Sequence, residues 1–229
     1  MQIYRTLLFD VDGTLLDFEK TKERAFRQTW ISNSLPFQQE ILDTFSMIEL
    51  ALWQQLERGE ITKEVLLTKR FQTLFDKEAI DRNPEEFELQ YQEELGQYAD
   101  LIPGAYDICK ELAKSCNLYI ITNGVAKTQR SRLNRSGLLP FFKDLFISEE
   151  VGYSKPRVEF FSYVLSHIPS TAKEEVLVIG DSLTSDIQGG KNAALSTCFV
   201  NLNASTNTTN LIPDYEIRDL NELNSIVHI

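Results

Sequence analysis

Carboxylates placed just after short apolar runs are the residues in this sequence best suited to chemistry. Asp10 and Asp12 lie in Asp10-Val11-Asp12-Gly13-Thr14, directly after Thr6-Leu7-Leu8-Phe9. Asp181 follows Val176-Leu177-Val178-Ile179-Gly180, and Asp186 comes one turn later. Gathered in one place, such groups repel and raise one another's pKa. A hard cation relieves that repulsion. Mg²⁺, held by two carboxylates, a carbonyl, waters and a phosphate oxygen, suits this donor set. Lys155, the hydroxyl of Thr122 and the amides of Asn123 and Gly124 supply the positive, hydrogen-donating half of a phosphate cradle. A carboxylate beside the cation can attack phosphorus and form an acyl-phosphate. A second one, two residues on, can protonate the leaving oxygen and then activate water.

These groups need elements that bring them together. Four runs, Thr6–Phe9, Leu118–Ile121, Val176–Ile179 and Thr197–Val200, are short, nearly continuous and bounded by polar or Gly residues. That is the signature of strands buried on both faces of a parallel sheet, and Leu145-Phe146-Ile147 is a weaker fifth. Helical spacing between them, as at Tyr106, Ile108, Cys109, Leu112 and Ala113 or Phe160, Phe161, Val164 and Leu165, predicts an α/β fold. It is a Rossmann-like parallel sheet with helices on both faces. The polar groups then converge beyond the carboxyl ends of the strands, where ligands bind at the topological switch point.

Between the first two strands the pattern changes. Residues 17–100 hold amphipathic helices and no strand, with apolar faces at Ile48, Ala51, Leu52 and Leu56 and at Val65, Leu66, Phe71 and Leu74. Asn83-Pro84-Glu85-Glu86 starts another helix, with an N-cap Asn and Pro at N1. A crossover needs far fewer residues. The expected organisation is a catalytic core of residues 1–16 and 101–229, with an inserted α-helical cap at 17–100. Leu15–Asp17 and Asp100–Gly104 act as its hinges. Residues 201–213, rich in Asn, Ser and Thr, read as a surface connector to a last short strand and helix.

Composition narrows the partners. The 229 residues carry 34 Asp and Glu against 23 Lys and Arg, a net charge of −11, which repels nucleic-acid polymers but admits one small phosphate ester. Three cysteines without a Cys-x-x-Cys spacing indicate neither a disulfide framework nor a structural zinc site. The start, Met1-Gln2-Ile3-Tyr4-Arg5, has no signal-peptide apolar stretch, and no run is long enough for a membrane span; a cytoplasmic protein is expected. His167 and His228 stand in no catalytic setting, so acid–base work falls to carboxylates.

Asp10-Val11-Asp12-Gly13-Thr14 resembles motif I of the haloacid dehalogenase superfamily. Thr122-Asn123, Lys155-Pro156 and Gly180-Asp181 with Asp186 resemble its motifs II, III and IV, in the same order. The likeness spans the chain and includes the C1 type of helical cap found in subfamily IA. It implies that Asp10 is the nucleophile and Asp12 the general acid and base. Mg²⁺ would be held by Asp10, the Asp12 carbonyl and Asp181, with Asp186 an auxiliary acid orienting a bound water. Thr122, Asn123, Gly124 and Lys155 would bind the phosphoryl group. Asp12 fits phosphatases and phosphomutases, because dehalogenase relatives lack an acid there.

Within that family, Thr122-Asn123-Gly124, Ser154-Lys155-Pro156 and the run from Gly180 to Ala193 resemble the pyrimidine 5′-nucleotidases. So do Leu52-Trp53 and Glu57-Arg58-Gly59-Glu60-Ile61-Thr62 in the insertion. The implied activity is Mg²⁺-dependent hydrolysis of nucleoside 5′-monophosphates through an aspartyl-phosphate. Phosphoglycolate or a sugar phosphate is the alternative substrate, and a catalytically silent binding protein the alternative of another class. The oligomeric state, monomer or dimer, is left open.

Other residues are read as structural. Trp53 is expected to pack in a helix interface, and Glu49 and Arg58 to lie on solvated faces. Lys127, Arg130, Arg132 and Arg135 spread around one helix and are expected on its surface, with Gly137 closing it. Cys109 and Cys116 are expected in the core.

Overall fold

Thr6–Phe9 (β1) is buried at every position, and so are Leu118–Thr122 within Asn117–Thr122 (β2) and all of Val176–Gly180 (β4). Only a strand covered on both sides tolerates such a run. In the computed structural model, which describes residues 3–169 and 171–227, these strands join Phe142–Ile147 (β3), Ser196–Val200 (β5) and Tyr215–Ile217 (β6). All pair in parallel, in the order β3-β2-β1-β4-β5-β6. β1 therefore lies between β2 and β4, and the order reverses direction there. His228 and the first two residues lie outside the described residues.

Alternation along the strands feeds two apolar layers. Leu7, Phe9, Leu118, Ile120, Leu177 and Ile179 face one layer, completed by helix Ala105–Leu112 (α5) and by Leu133 of helix Ala126–Ser136 (α6). Leu8, Tyr119, Ile121, Val176 and Val178 face the other, completed by Phe160, Phe161 and Val164 of helix Val158–His167 (α8). The fold is the expected α/β Rossmann-like sheet covered on both faces. β3 begins three residues before the apolar triplet, because Lys143 and Asp144 occupy its exposed positions.

Other elements of this body are short, among them Ser148–Val151 (α7), a π-helical turn at Leu183–Ile187, Gln188–Asn192 (α9) and Leu223–Val227 (α10). The segment 202–213 is irregular and largely exposed. It is tied at its root by Asn201, which exchanges hydrogen bonds with the Ser205 backbone and hydroxyl. Cys109, Cys116 and Cys198 are buried and unpaired. No helix among the described residues is long and apolar enough to cross a membrane.

The chain divides into two compact units, Met1–Phe18 with Ala99–Ile229, and Glu19–Tyr98. The second is helical: Phe18–Ser32 (α1, all but its first residue), Gln39–Glu57 (α2), Lys63–Glu78 (α3) and Pro84–Leu95 (α4). Asn83 caps α4, its Oδ1 accepting from the N–H of Glu85 at 2.9 Å and of Glu86 at 3.1 Å. Stacked and edge-on rings of Phe26, Trp30, Phe45, Phe71, Phe87 and Tyr91 fill the centre.

In that unit the expectation for Glu49 is overturned. Glu49 is 3% exposed, on the buried stripe of α2 with Leu42, Phe45, Leu52 and Leu56. The buried Arg70 explains it, donating to Glu49 Oε1 at 2.5 Å and to both oxygens of Glu88 at 2.6 and 2.7 Å. A charge survives in a core when it is paired this fully. Trp53 packs beside Leu52, Leu56 and Leu66, and Arg58 is exposed with Glu60, both as expected.

Candidate active site

Each polar group of the site follows the end of a strand. Asp10 comes directly after β1 and donates its N–H to Ile179 O at 2.9 Å, extending the β1–β4 ladder by one bond. Thr122 is the last residue of β2, and Asp181 follows the last residue of β4. Neighbouring parallel strands end side by side, so residues more than a hundred positions apart share one crevice. Carboxylate oxygens of Asp10, Asp181 and Asp186 lie within 4.8 Å of one another.

Lys155 sits among them with its side chain 1% exposed. Its Nζ donates to Asp10 Oδ1 and Asp186 Oδ1, each at 2.6 Å, and to Ile121 O at 2.9 Å. Those three bonds use its three protons. Burial alone would pull the Lys155 pKa down, but Asp10 and Asp186 hold it above its usual value. Asp186 Oδ2 accepts from the Ser182 N–H at 3.1 Å, so both of its oxygens are engaged.

One ammonium does not neutralise three carboxylates. Burial pushes Asp10 up to about 7 against the pull of Lys155, with Asp186 and Asp12 adding to the rise. Asp181, open to solvent on one side, is likewise raised well above the carboxylate range, by loss of hydration and by repulsion from Asp10 and Asp186. Thr14 donates to Asp181 Oδ1 at 3.4 Å. Gly13 makes the crowding possible: its φ is +83°, and a Cβ there would lie 2.2 Å from Asp181 Oδ2. A site of hard oxygen donors carrying unrelieved negative charge fits Mg²⁺, which the carboxylates of this cluster could hold.

The structure divides the expected phosphate cradle into two parts. Thr122, 1% exposed, accepts from the Gly124 N–H at 3.0 Å and retains its own hydroxyl proton for donation. Asn123 instead turns its side chain to the Lys155 backbone: Nδ2 donates to Lys155 O and Oδ1 accepts from Lys155 N–H, both at 2.9 Å. This reciprocal pair anchors the loop that carries Lys155. The Asn123 side chain therefore places the lysine.

Asp12 is set apart from the other three acids. Its carboxylate accepts from Gln129 Nε2 and Arg132 Nη1 of α6. Arg132 is 1% exposed, which overturns the expectation of a solvated basic helix; Lys127, Arg130 and Arg135 are exposed as expected. A charge-only reading misses Arg132 and Gln129. The signal that finds them is helical: Thr128, Gln129, Arg132 and Leu133 form a single inward stripe. Gly137, at φ +74°, closes α6, and His167 ends α8.

A model of the haloacid dehalogenase-like hydrolases matches residues 4–194. YfnB of Bacillus subtilis (strain 168), named as a HAD-hydrolase, is 42% identical over 229 residues, covering 100% of this chain and 97% of its own. A crystal structure of YfnB bound to magnesium matches with a TM-score of 0.95 at 41% identity, over 100% of both chains. The pyrimidine 5′-nucleotidase PynA of Streptococcus pneumoniae is 36% identical over 221 residues, 96% of this chain and 93% of its own. The pyrimidine 5′-nucleotidase YjjG of Escherichia coli is 29% identical over 221 residues, 96% of each. The chain belongs to the haloacid dehalogenase-like hydrolases.

Proposed function

We propose that this hydrolase is a Mg²⁺-dependent phosphomonoesterase acting on pyrimidine nucleoside 5′-monophosphates through a phosphorylated Asp10. The observation that carries the reading is the meeting of Asp10, Asp181 and Asp186 around Lys155, with Asp12 two residues from the nucleophile. Asp10, Asp181 and the Asp12 carbonyl would hold the cation, and Asp186 would orient one of its waters. When bound, the cation relieves the repulsion among the acids and draws charge from the phosphoryl oxygens.

The chain's own residues supply the steps. An Asp10 oxygen attacks phosphorus; as the O–P bond to the nucleoside breaks, the leaving oxygen takes the Asp12 proton. Water then attacks the phosphorus of aspartyl-phosphate, giving its proton to Asp12, and the P–O bond to Asp10 breaks to release phosphate and restore the carboxylate. Lys155 holds Asp10 by Oδ1, and the Thr122 hydroxyl and the Asn123 backbone N–H bind phosphoryl oxygens, the Gly124 N–H being spent on Thr122.

The pyrimidine nucleotide is favoured by full-length likeness to two enzymes named for that activity. The helical unit Glu19–Tyr98 serves in this reading as a cap that excludes bulk water when closed. Its hinges are the segments where Asp17 N–H meets Asp100 O and Ile102 N–H meets Leu15 O, both at 2.9 Å. The cytoplasm, with its pool of free nucleotides, is the compartment this activity implies.

The test is turnover of UMP, dUMP, dTMP, phosphoglycolate and sugar phosphates, with Mg²⁺ and after chelation. The expected pattern is Mg²⁺-dependent release of phosphate, fastest from the pyrimidine nucleotides. Preference for phosphoglycolate or a sugar phosphate would overturn the substrate assignment. No turnover and no Mg²⁺ binding would leave a silent binding protein.

A further inference from the structure

Gln129 and Arg132 are unusual core residues, 2% and 1% exposed, on a helix whose other basic residues face solvent. Polar side chains of that size enter an interior when they are bonded there. Both reach the same partner. Gln129 Nε2 donates to Asp12 Oδ2 and Arg132 Nη1 to Asp12 Oδ1, so the carboxylate is gripped at each oxygen. Three residues apart on α6, the two side chains project from one face.

The surroundings are shaped to this grip. The Arg132 guanidinium lies over the Phe18 ring, 5.6 Å from its centroid. Gly124 leaves the path that Gln129 follows: a Cβ there would fall 2.1 Å from Gln129 Nε2 and 2.6 Å from its Cγ. Asp12 is only two residues from Asp10, yet its carboxylate does not join Asp10, Asp181 and Asp186. A fourth hard oxygen drawn to a cation there would be lost to proton transfer.

We propose that Gln129 and Arg132 are positioning residues that hold the Asp12 carboxylate apart from the cation-binding acids and aligned for proton exchange with the substrate's bridging oxygen. Neither touches the reacting atoms; both act through Asp12. The inference rests on the proposed role of Asp12 as general acid.

The experiment compares kcat/KM for two substrates with the same phosphoryl group. The nucleoside oxygen of dUMP needs a proton as it leaves, whereas p-nitrophenyl phosphate releases a stable phenolate without one. Because kcat/KM covers only the steps through phosphorylation of Asp10, later hydrolysis of the intermediate does not enter. Misplacing the acid in Arg132→Met or Gln129→Leu is expected to lower kcat/KM for dUMP about 100-fold. The value for p-nitrophenyl phosphate falls by no more than a few-fold. Arg132→Lys recovers part of the dUMP rate, and Gly124→Ala, which displaces Gln129, shifts the ratio in the same direction as Gln129→Leu. The fraction of folded enzyme cancels in the ratio of the two substrates, so partial misfolding cannot imitate the result. An active wild type whose variants leave that ratio unchanged overturns the proposal alone. A wild type inert toward both substrates with Mg²⁺ overturns the phosphatase reading, and the proposal with it.

Discussion

Replacing Lys155 with Met removes a cation that two buried acids share. The wild-type ammonium donates to Asp10 and Asp186 at 2.6 Å, and the side chains are 1%, 10% and 1% exposed for Lys155, Asp10 and Asp186. Deleting one partner of such a pair costs about 3–5 kcal/mol, because the other is left charged and uncompensated. Two acids lose their partner here, but Asp10 can discharge by taking a proton, which keeps the expected loss at about 4 kcal/mol. For a chain of this length that corresponds to a Tm about 8–16 °C lower in a melt followed by circular dichroism with chelator present. The loss depends on pH. Asp10 is already pushed up to about 7, and without Lys155 its folded-state pKa rises further above the unfolded value. The folded protein then holds more protons than the unfolded one, so stability falls as pH rises, and the deficit is larger at pH 8 than at pH 5.5. A Tm within about 2 °C of wild type, with no pH trend, would refute the reasoning.

The raised carboxylates also bear on the proposed cation site. Bound there as proposed, Mg²⁺ would have to displace protons from Asp10 and Asp181, so the gain in Tm on adding MgCl₂ is expected to be greater at pH 8 than at pH 5.5; equal gains would contradict the site. Arg70→Leu strands Glu49 and Glu88 in the helical unit and is expected to destabilise it by about 3–5 kcal/mol, read by hydrogen exchange of the α2–α4 amides. Replacing all three by Leu should recover most of that loss. Burial pushes the thiols of Cys109 and Cys198 up to about 12 and raises that of Cys116, so Ellman's reagent at pH 8 should find no reactive thiol in the native protein and three after denaturation.

Strand ends were the most legible feature of the chain. A parallel strand covered on both faces is largely apolar, so the polar residue at its end or just beyond marks the crevice, as at Thr122 and at Asp10 and Asp181. β3 was half hidden, because its exposed Lys143 and Asp144 interrupt the apolar run. The buried charges were not legible for a different reason. Glu49, Arg70 and Glu88 come from three helices, and each alone has the character of a solvated position. Arg132 was obscured by Arg130 and Arg135, exposed neighbours of the same type on the same helix. Likewise nothing local distinguishes Asn123 as the residue that locks the Lys155 backbone, since the two are 32 positions apart.

The central claim is that phosphate passes through Asp10, and rapid acid quench tests it most directly. Enzyme with Mg²⁺ is mixed with dUMP carrying a radioactive phosphate, stopped during the first turnover and digested for peptide mapping. The account predicts acid-stable label on the peptide containing Asp10, formed as fast as turnover requires and absent from Asp10→Asn. Label on another residue, or full turnover by Asp10→Asn, would contradict it.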